Sequence, residues 1–224
     1  MTLLTNEQQA RDYVASLCDA PAMARVERFA GLLLAENINQ NLIAKPTESI
    51  IWQRHIADSA QLLAHVSRET EIKSGDRPWL DLGSGPGLPG LVVAAMRADM
   101  PVVLVESRRK RFEWLEKTVG ELGLANCRVE GSRLELVATV PAGVISARAF
   151  APLRRILDLS ARFSTTDTVW LLPKGRSAAQ EVDELPKRLK QLFHVEQSVT
   201  DAEAGIVVGH LTRTALARLD GGKR

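Results

Sequence analysis

The sequence has only two cysteines, Cys18 and Cys127, and neither belongs to a metal-binding or redox spacing. They read as buried thiols of a protein kept in a reducing cytoplasm. No apolar run reaches the roughly 18 residues of a membrane span. The opening MTLLTNEQQARDY lacks the basic start and apolar core of a signal peptide, so no membrane association is expected. Excess charge of one sign is also missing: the net charge of +2 does not by itself announce a nucleic-acid partner. Positive charge is instead local, in RRKR at 108–111, RR at 154–155, KRLK at 187–190 and the final GGKR. Such runs are solvated helix faces by default, although a groove made by several of them could follow phosphates. Familiar catalytic devices are absent too. There is no nucleophile elbow, no phosphate-binding G-K-[ST] loop and no metal cluster, and the four histidines (55, 65, 194 and 210) are dispersed.

What is present is enough apolar residue, 45%, for one sizeable core or a domain with a small appendage. Met23, Val26, Phe29, Ala30, Leu33 and Leu34 form one apolar stripe and predict a helix between Pro21 and Asn37. Pro46 breaks the chain, and Thr47 is placed to cap a second helix reaching about Val66. The polar stretch 67–78 then leads to a different pattern. Short apolar runs at 79–82, 101–106, 126–130, 142–147 and 168–173 alternate with amphipathic segments at 89–98, 107–122, 150–163 and 177–192. This alternation predicts an α/β fold with a doubly wound, mostly parallel sheet. The last runs, 193–199 and 205–216, have no crossover helix between them and should form an antiparallel hairpin. The expected division is a helical cap, residues 1–70, on a main domain, 71–224.

The stretch LDLGSGPGLPG, residues 80–90, follows the first strand of that sheet. In a doubly wound fold this crevice receives the ligand. Read from Gly85, G-P-G-L-P-G fits a dinucleotide fingerprint; read from Asp81, the letters fit D-x-G-x-G-x-G. Glu106, ending the second strand, can accept hydrogen bonds from both hydroxyls of a ribose under either reading. Asp81 favours the second. A carboxylate repels a pyrophosphate, whereas an ammonium and a sulfonium gain from it; the competing use of Asp81 is to order the loop through its backbone N–H groups. Gly83 and Gly85 allow a close approach that a side chain would block. Arg148 after the fourth strand and Lys174 after the fifth put two cations at the same edge of the sheet.

The shortage of catalytic motifs suits one reaction class. S-adenosyl-L-methionine carries its own leaving group, and a purine N7 offers a bare lone pair, so methylating it requires no general base. Alignment and charge stabilisation suffice. The N-P-P-Y loop that would bind an exocyclic amine is absent; S-A-R-A stands in its place.

GSGPGLPG, VESRRKRFEWL, SRLE, ARAFAPL and LPKG, with NQNLIA at 39–44 and RHIADS at 54–59, together resemble the bacterial small-subunit ribosomal RNA guanine-N7 methyltransferases, the glucose-inhibited division protein B family. The resemblance runs from about Phe29 to the end. It implies a Rossmann-like adenosylmethionine-dependent fold, with Asp81, Gly83, Gly85, Leu88, Glu106, Leu134, Glu135 and Arg148 around the cofactor. Arg148 would also meet the incoming guanine, and Lys174 and Arg108 to Arg111 would face RNA. His55 and Asp58 are expected to hold the cap onto the main domain. The implied substrate is one guanine of 16S ribosomal RNA near the decoding site, as RNA or in the small ribosomal subunit, and the implied enzyme is a cytoplasmic monomer. Ile43 and Leu134 depart from the family pattern, which usually has threonine and alanine there. A methyltransferase for another acceptor, a nicotinamide-dependent dehydrogenase using the Gly85–Gly90 register and a non-catalytic RNA-binding module are the competing expectations.

Overall fold

The computed structural model describes residues 2–66 and 77–220. The expected boundary at residue 70, most of the polar stretch before the first strand and the GGKR tail lie outside those residues. Seven strands form one sheet: β1 (Trp79–Leu82), β2 (Val102–Val105), β3 (Cys127–Glu130), β4 (Val144–Ser146), β5 (Val169–Gly175), β6 (Phe193–Gln197) and β7 (Gly205–Gly209). Their order is β3-β2-β1-β4-β5-β7-β6, so strand order reverses between β1 and β4. The first five strands pair parallel, while β7 lies antiparallel to both neighbours. The short β6–β7 connection dictates that hairpin, because a parallel pair needs a long crossover.

The helices are α1 (Glu7–Ser16), α2 (Ala20–Gln40), α3 (Gly90–Met96), α4 (Arg109–Glu121), α5 (Leu153–Ser160), α6 (Ala178–Asp183), α7 (Lys187–Lys190) and α8 (Arg213–Asp220). Alternating strand residues face opposite layers. Leu80 and Leu82 pack with Ile156, Leu157 and Phe163 on one side of the sheet. On the other side, Trp79 and Leu104 share a single core with Val26, Phe29 and Leu33 of the cap and with Leu91 and Val92 of α3. The cap is therefore not an independent body; it completes one face of the sheet. Arg25 Nε also donates to the Ala95 carbonyl at 2.9 Å.

Several expectations need correction. Thr47 does not cap a long helix. Residues 45–65 run instead through a 3₁₀ turn (Lys45–Ile50), a wider π-type turn (Trp52–Ala57), an α turn (Asp58–Ala60) and another 3₁₀ turn (Gln61–His65). α1 was not anticipated, although Asn6 caps it by accepting from the Gln9 N–H. The 177–192 segment is two short helices separated at Pro186, whose ring cannot continue α6. The 205–216 run is strand only to Gly209; α8 starts at Arg213.

Candidate active site

β1 delivers its chain to a loop in which Gly83 has φ +64° and Gly85 φ +53°. These left-handed conformations are costly for any residue with a Cβ. Space is short as well: a Cβ at Gly83 would stand 2.3 Å from the Phe150 ring. Asp81 holds the far side of the loop. Its carboxylate has no exposed surface. Oδ2 accepts from the Gly90 N–H at 3.2 Å and Oδ1 accepts from the Ser146 hydroxyl at 2.7 Å. The register pairs Asp81 with Ser146 across β1 and β4, which puts the two side chains together. Trp79, two residues back on the same face, donates its indole N–H to Ser146 Oγ at 2.7 Å. An indole can only donate, so the serine proton must point at Asp81. Burial pushes the Asp81 carboxyl upward, against hydrogen bonds led by Ser146 that hold it down.

In this geometry the Asp81 carboxylate orders the loop through the Gly90 N–H and the Ser146 hydroxyl. It also weakens the dinucleotide register. The first N–H of α3, which a pyrophosphate would need, already serves a carboxylate.

Glu106 is 5% exposed and lies across the loop. Oε2 accepts from the Gly85 N–H at 3.0 Å, and Oε1 from the Arg108 N–H at 2.8 Å. Each oxygen keeps a further lone pair for a hydroxyl. Glu106 lines a cavity of about 220 Å³ together with Gly83, Arg111, Ser132, Leu134 and Phe150. Leu134 supplies an apolar wall of this cavity. Glu135 does not join it. In the 3₁₀ turn Leu134–Leu136 successive side chains point about 120° apart, so Leu134 turns inward while Glu135, with 54% of its side chain exposed, lies 3.9 Å from Arg155. Leu88 is likewise not a wall of this cavity: its side chain is buried in the core beneath α3.

A larger cavity of about 810 Å³ opens between the cap and the carboxyl ends of β4 and β5. Arg148 lies on its wall. Nη1 is 3.1 Å from Asp58 Oδ2, and Nη2 is 3.1 Å from His55 Nδ1. His55 and Asp58 are thus brought to the cap–domain junction, where they were expected. Burial, then Arg148 and Arg54, drives the His55 imidazole down to about 3, so the ring is neutral. Lys174 also borders this cavity, with its ammonium already engaged by the protein. Nζ donates to the Ala151 carbonyl at 2.6 Å and pairs with Glu181 Oε2 at 2.9 Å, with only 7% of the side chain exposed. Burial alone would raise the Glu181 carboxyl; Lys174, Ser177 and the Leu153 N–H bring it below the usual range. This cluster anchors the loop that follows Arg148.

Sequence reasoning missed the two residues between those anchors. Ala149 and Phe150 line both cavities. Ala149 is a non-glycine residue at φ +51°, a conformation stored at functional sites more than elsewhere. Their position just past a strand at the ligand-binding edge was the available signal. Arg108 and Arg111, expected on an RNA-facing surface, border the smaller cavity. Cys127, at the start of β3, has its thiol pushed up to about 12 by burial and then Asp81, and is no nucleophile. Among the described residues no cluster of potential metal ligands exists, and no helix is long and apolar enough to cross a membrane.

Residues 22–209, from α2 through β7, match the family model described as GidB, rRNA small subunit methyltransferase G. The chain belongs to this family. Relatives of the same family carry the name ribosomal RNA small subunit methyltransferase G. The protein from Erythrobacter litoralis is 59% identical over 207 residues, covering 92% of this chain and 97% of its own. That from Sphingopyxis alaskensis is 56% identical over 210 residues, with 92% and 87% covered. Among solved structures, a SAM dependent methyltransferase from Aquifex aeolicus superposes with a TM-score of 0.50 at 13% identity, over 70% of this chain and 90% of that one. MtNAS in complex with MTA and tNA gives 0.51 at 15%, over 91% and 75%. Likeness at this identity concerns the fold alone. For this rRNA small subunit methyltransferase G family member, it is the doubly wound sheet with its carboxyl-edge crevice.

Proposed function

We propose that this chain methylates ribosomal RNA with S-adenosyl-L-methionine, and that its acceptor is the N7 of one guanine of 16S ribosomal RNA near the decoding site. One observation carries the reading: two cavities at the switch point of the sheet share the Ala149–Phe150 wall. A donor in one would lie beside an acceptor in the other. The smaller cavity suits the adenosine part of the cofactor, with Glu106 for the ribose hydroxyls and Leu134 against the base. Gly83 and Gly85 let that ligand approach the backbone.

The cofactor supplies, when bound, a methyl group on a positively charged sulfur. A ring nitrogen needs no proton removed, and the basic groups on the larger cavity are already engaged: the neutral His55 accepts from Arg148, Asp58 pairs with Arg148 and Glu181 pairs with Lys174. Arg148 is the residue we assign to the acceptor, holding it through the guanidinium edge not turned to the cap. Lys174 acts by fixing the shape of the same wall. The dehydrogenase reading loses support because Asp81 occupies the start of α3. The test is purified protein with labelled S-adenosylmethionine and 16S ribosomal RNA lacking the modification. Appearance of 7-methylguanosine is expected, and its absence from both naked RNA and small subunits would refute the proposal.

A further inference from the structure

The contacts of Arg148 run on into the cap as a chain of hydrogen bonds with a fixed direction. Thr47 Oγ1 donates its single proton to the Ala44 carbonyl at 2.6 Å. The same oxygen lies 2.7 Å from His55 Nε2 and, with its proton committed, can only accept. Nε2 therefore carries the ring proton. That leaves Nδ1 bare, facing Arg148 Nη2 at 3.1 Å, where it accepts. Asp58 takes the neighbouring nitrogen Nη1, while its other oxygen accepts from Gln61 Nε2 at 3.0 Å and Thr200 Oγ1 at 3.1 Å. The π-type turn Trp52–Ala57 and the residue after it present both acceptors on one face.

We infer that Thr47 and His55 are positioning residues for methyl transfer: the Thr47 hydroxyl selects the imidazole tautomer, and that tautomer orients the Arg148 guanidinium in the acceptor cavity. The inference rests on the function proposed above. It gives the cap a part in the chemistry without any contact with the smaller cavity, whose lining includes no cap residue. The alternative tautomer, with Nδ1 protonated, would turn an N–H toward a cation and displace it. Asp58 supplies charge to Arg148; His55 supplies direction.

Substitutions at residue 55 separate these roles. Asparagine carries an acceptor on the same Cγ that bears Nδ1, whereas the glutamine amide reaches the place of Nε2. His55→Asn should retain kcat within about threefold, while His55→Gln and Thr47→Val lose roughly tenfold, the equivalent of one charge-assisted hydrogen bond. Thr47→Ser should restore the loss at that position. KM for S-adenosylmethionine should stay within about twofold throughout, since the relay does not touch that cavity; a general loosening of the fold would move it. Nitrogen-15 shifts of the His55 ring in the wild-type protein give a readout independent of activity, and should report a neutral ring protonated at Nε2. A ring protonated at Nδ1, or equal kcat in the Asn and Gln variants, would overturn the inference. Failure of the wild-type protein to methylate RNA would overturn the proposed function instead, and the ring shifts would still decide the relay.

Discussion

Arg148 Nη1 stands 3.1 Å from Asp58 Oδ2, although the two lie 90 positions apart in the chain, with β1 to β4 between them. Both side chains are mostly covered, 18% and 13% exposed, so solvent screens the pair only in part. Removing the carboxylate leaves a mostly covered guanidinium with only neutral partners, His55 Nδ1 at 3.1 Å and the Arg54 carbonyl at 3.5 Å. Asp58→Ala should therefore cost about 2 kcal/mol. Asp58→Asn, which keeps an acceptor oxygen, should cost less. The midpoint and slope of urea unfolding would show both.

Gly83 meets two separate demands, and they can be measured apart. Its φ of +64° disfavours alanine by about 1–2 kcal/mol. The added Cβ would also strike Phe150 at 2.3 Å. Gly83→Ala should lower stability and weaken binding of S-adenosylhomocysteine more than tenfold. In the double variant with Phe150→Ala the steric part should vanish, leaving the backbone part. Calorimetric titration of the two variants tests this, and full recovery in the double variant would remove the backbone term.

Lys174 offers a different test, because its partner has nowhere else to turn. Lys174→Met keeps the stem but leaves Glu181 with only the Leu153 N–H and the Ser177 hydroxyl. The loss should be about 2–4 kcal/mol near neutral pH. Adding Glu181→Gln should recover part of it, since the uncompensated charge is then gone. A direct RNA contact by Lys174 predicts something else: unchanged melting temperature with weaker RNA binding.

The architecture was legible because its causes are local and repeated. Apolar runs of strand length alternated with amphipathic segments, and the missing crossover announced the β6–β7 hairpin. Glu106 was legible for the same reason, as a residue just beyond a strand end, while Leu134 came through the family resemblance. The surroundings of Leu88, Glu135 and Lys174 were not legible. Which way a side chain points within a tight loop depends on turn geometry, and whether a lysine is free depends on a glutamate on the next helix. Asp81 was ambiguous until Ser146 was seen beside it, a pairing set by register across strands far apart in sequence. The irregular turns at 45–65 escaped periodicity because residues there serve contacts with 198–201 and Arg148 as much as helical packing.

His55 makes the stability of the protein depend on pH in a predictable direction. Its folded value is about 3 against an ordinary 6.5, so between these values the unfolded chain binds a proton that the folded one refuses. Stability then rises with pH across this window; it is complete above about pH 6.5 and falls as the solution is acidified below that. The slope from one such group cannot exceed about 1.4 kcal/mol per pH unit. His65, lowered by burial although Glu196 opposes it, adds a smaller term of the same sign. Comparing the wild-type protein with His55→Asn isolates the first contribution, because asparagine has no proton to bind. Urea midpoints measured from about pH 7 to pH 4.5 should fall more steeply for the wild-type protein, and the two curves should approach each other on acidification. Parallel curves would mean that His55 titrates in the folded protein as it does in water, which its contacts with Arg148 and Thr47 forbid.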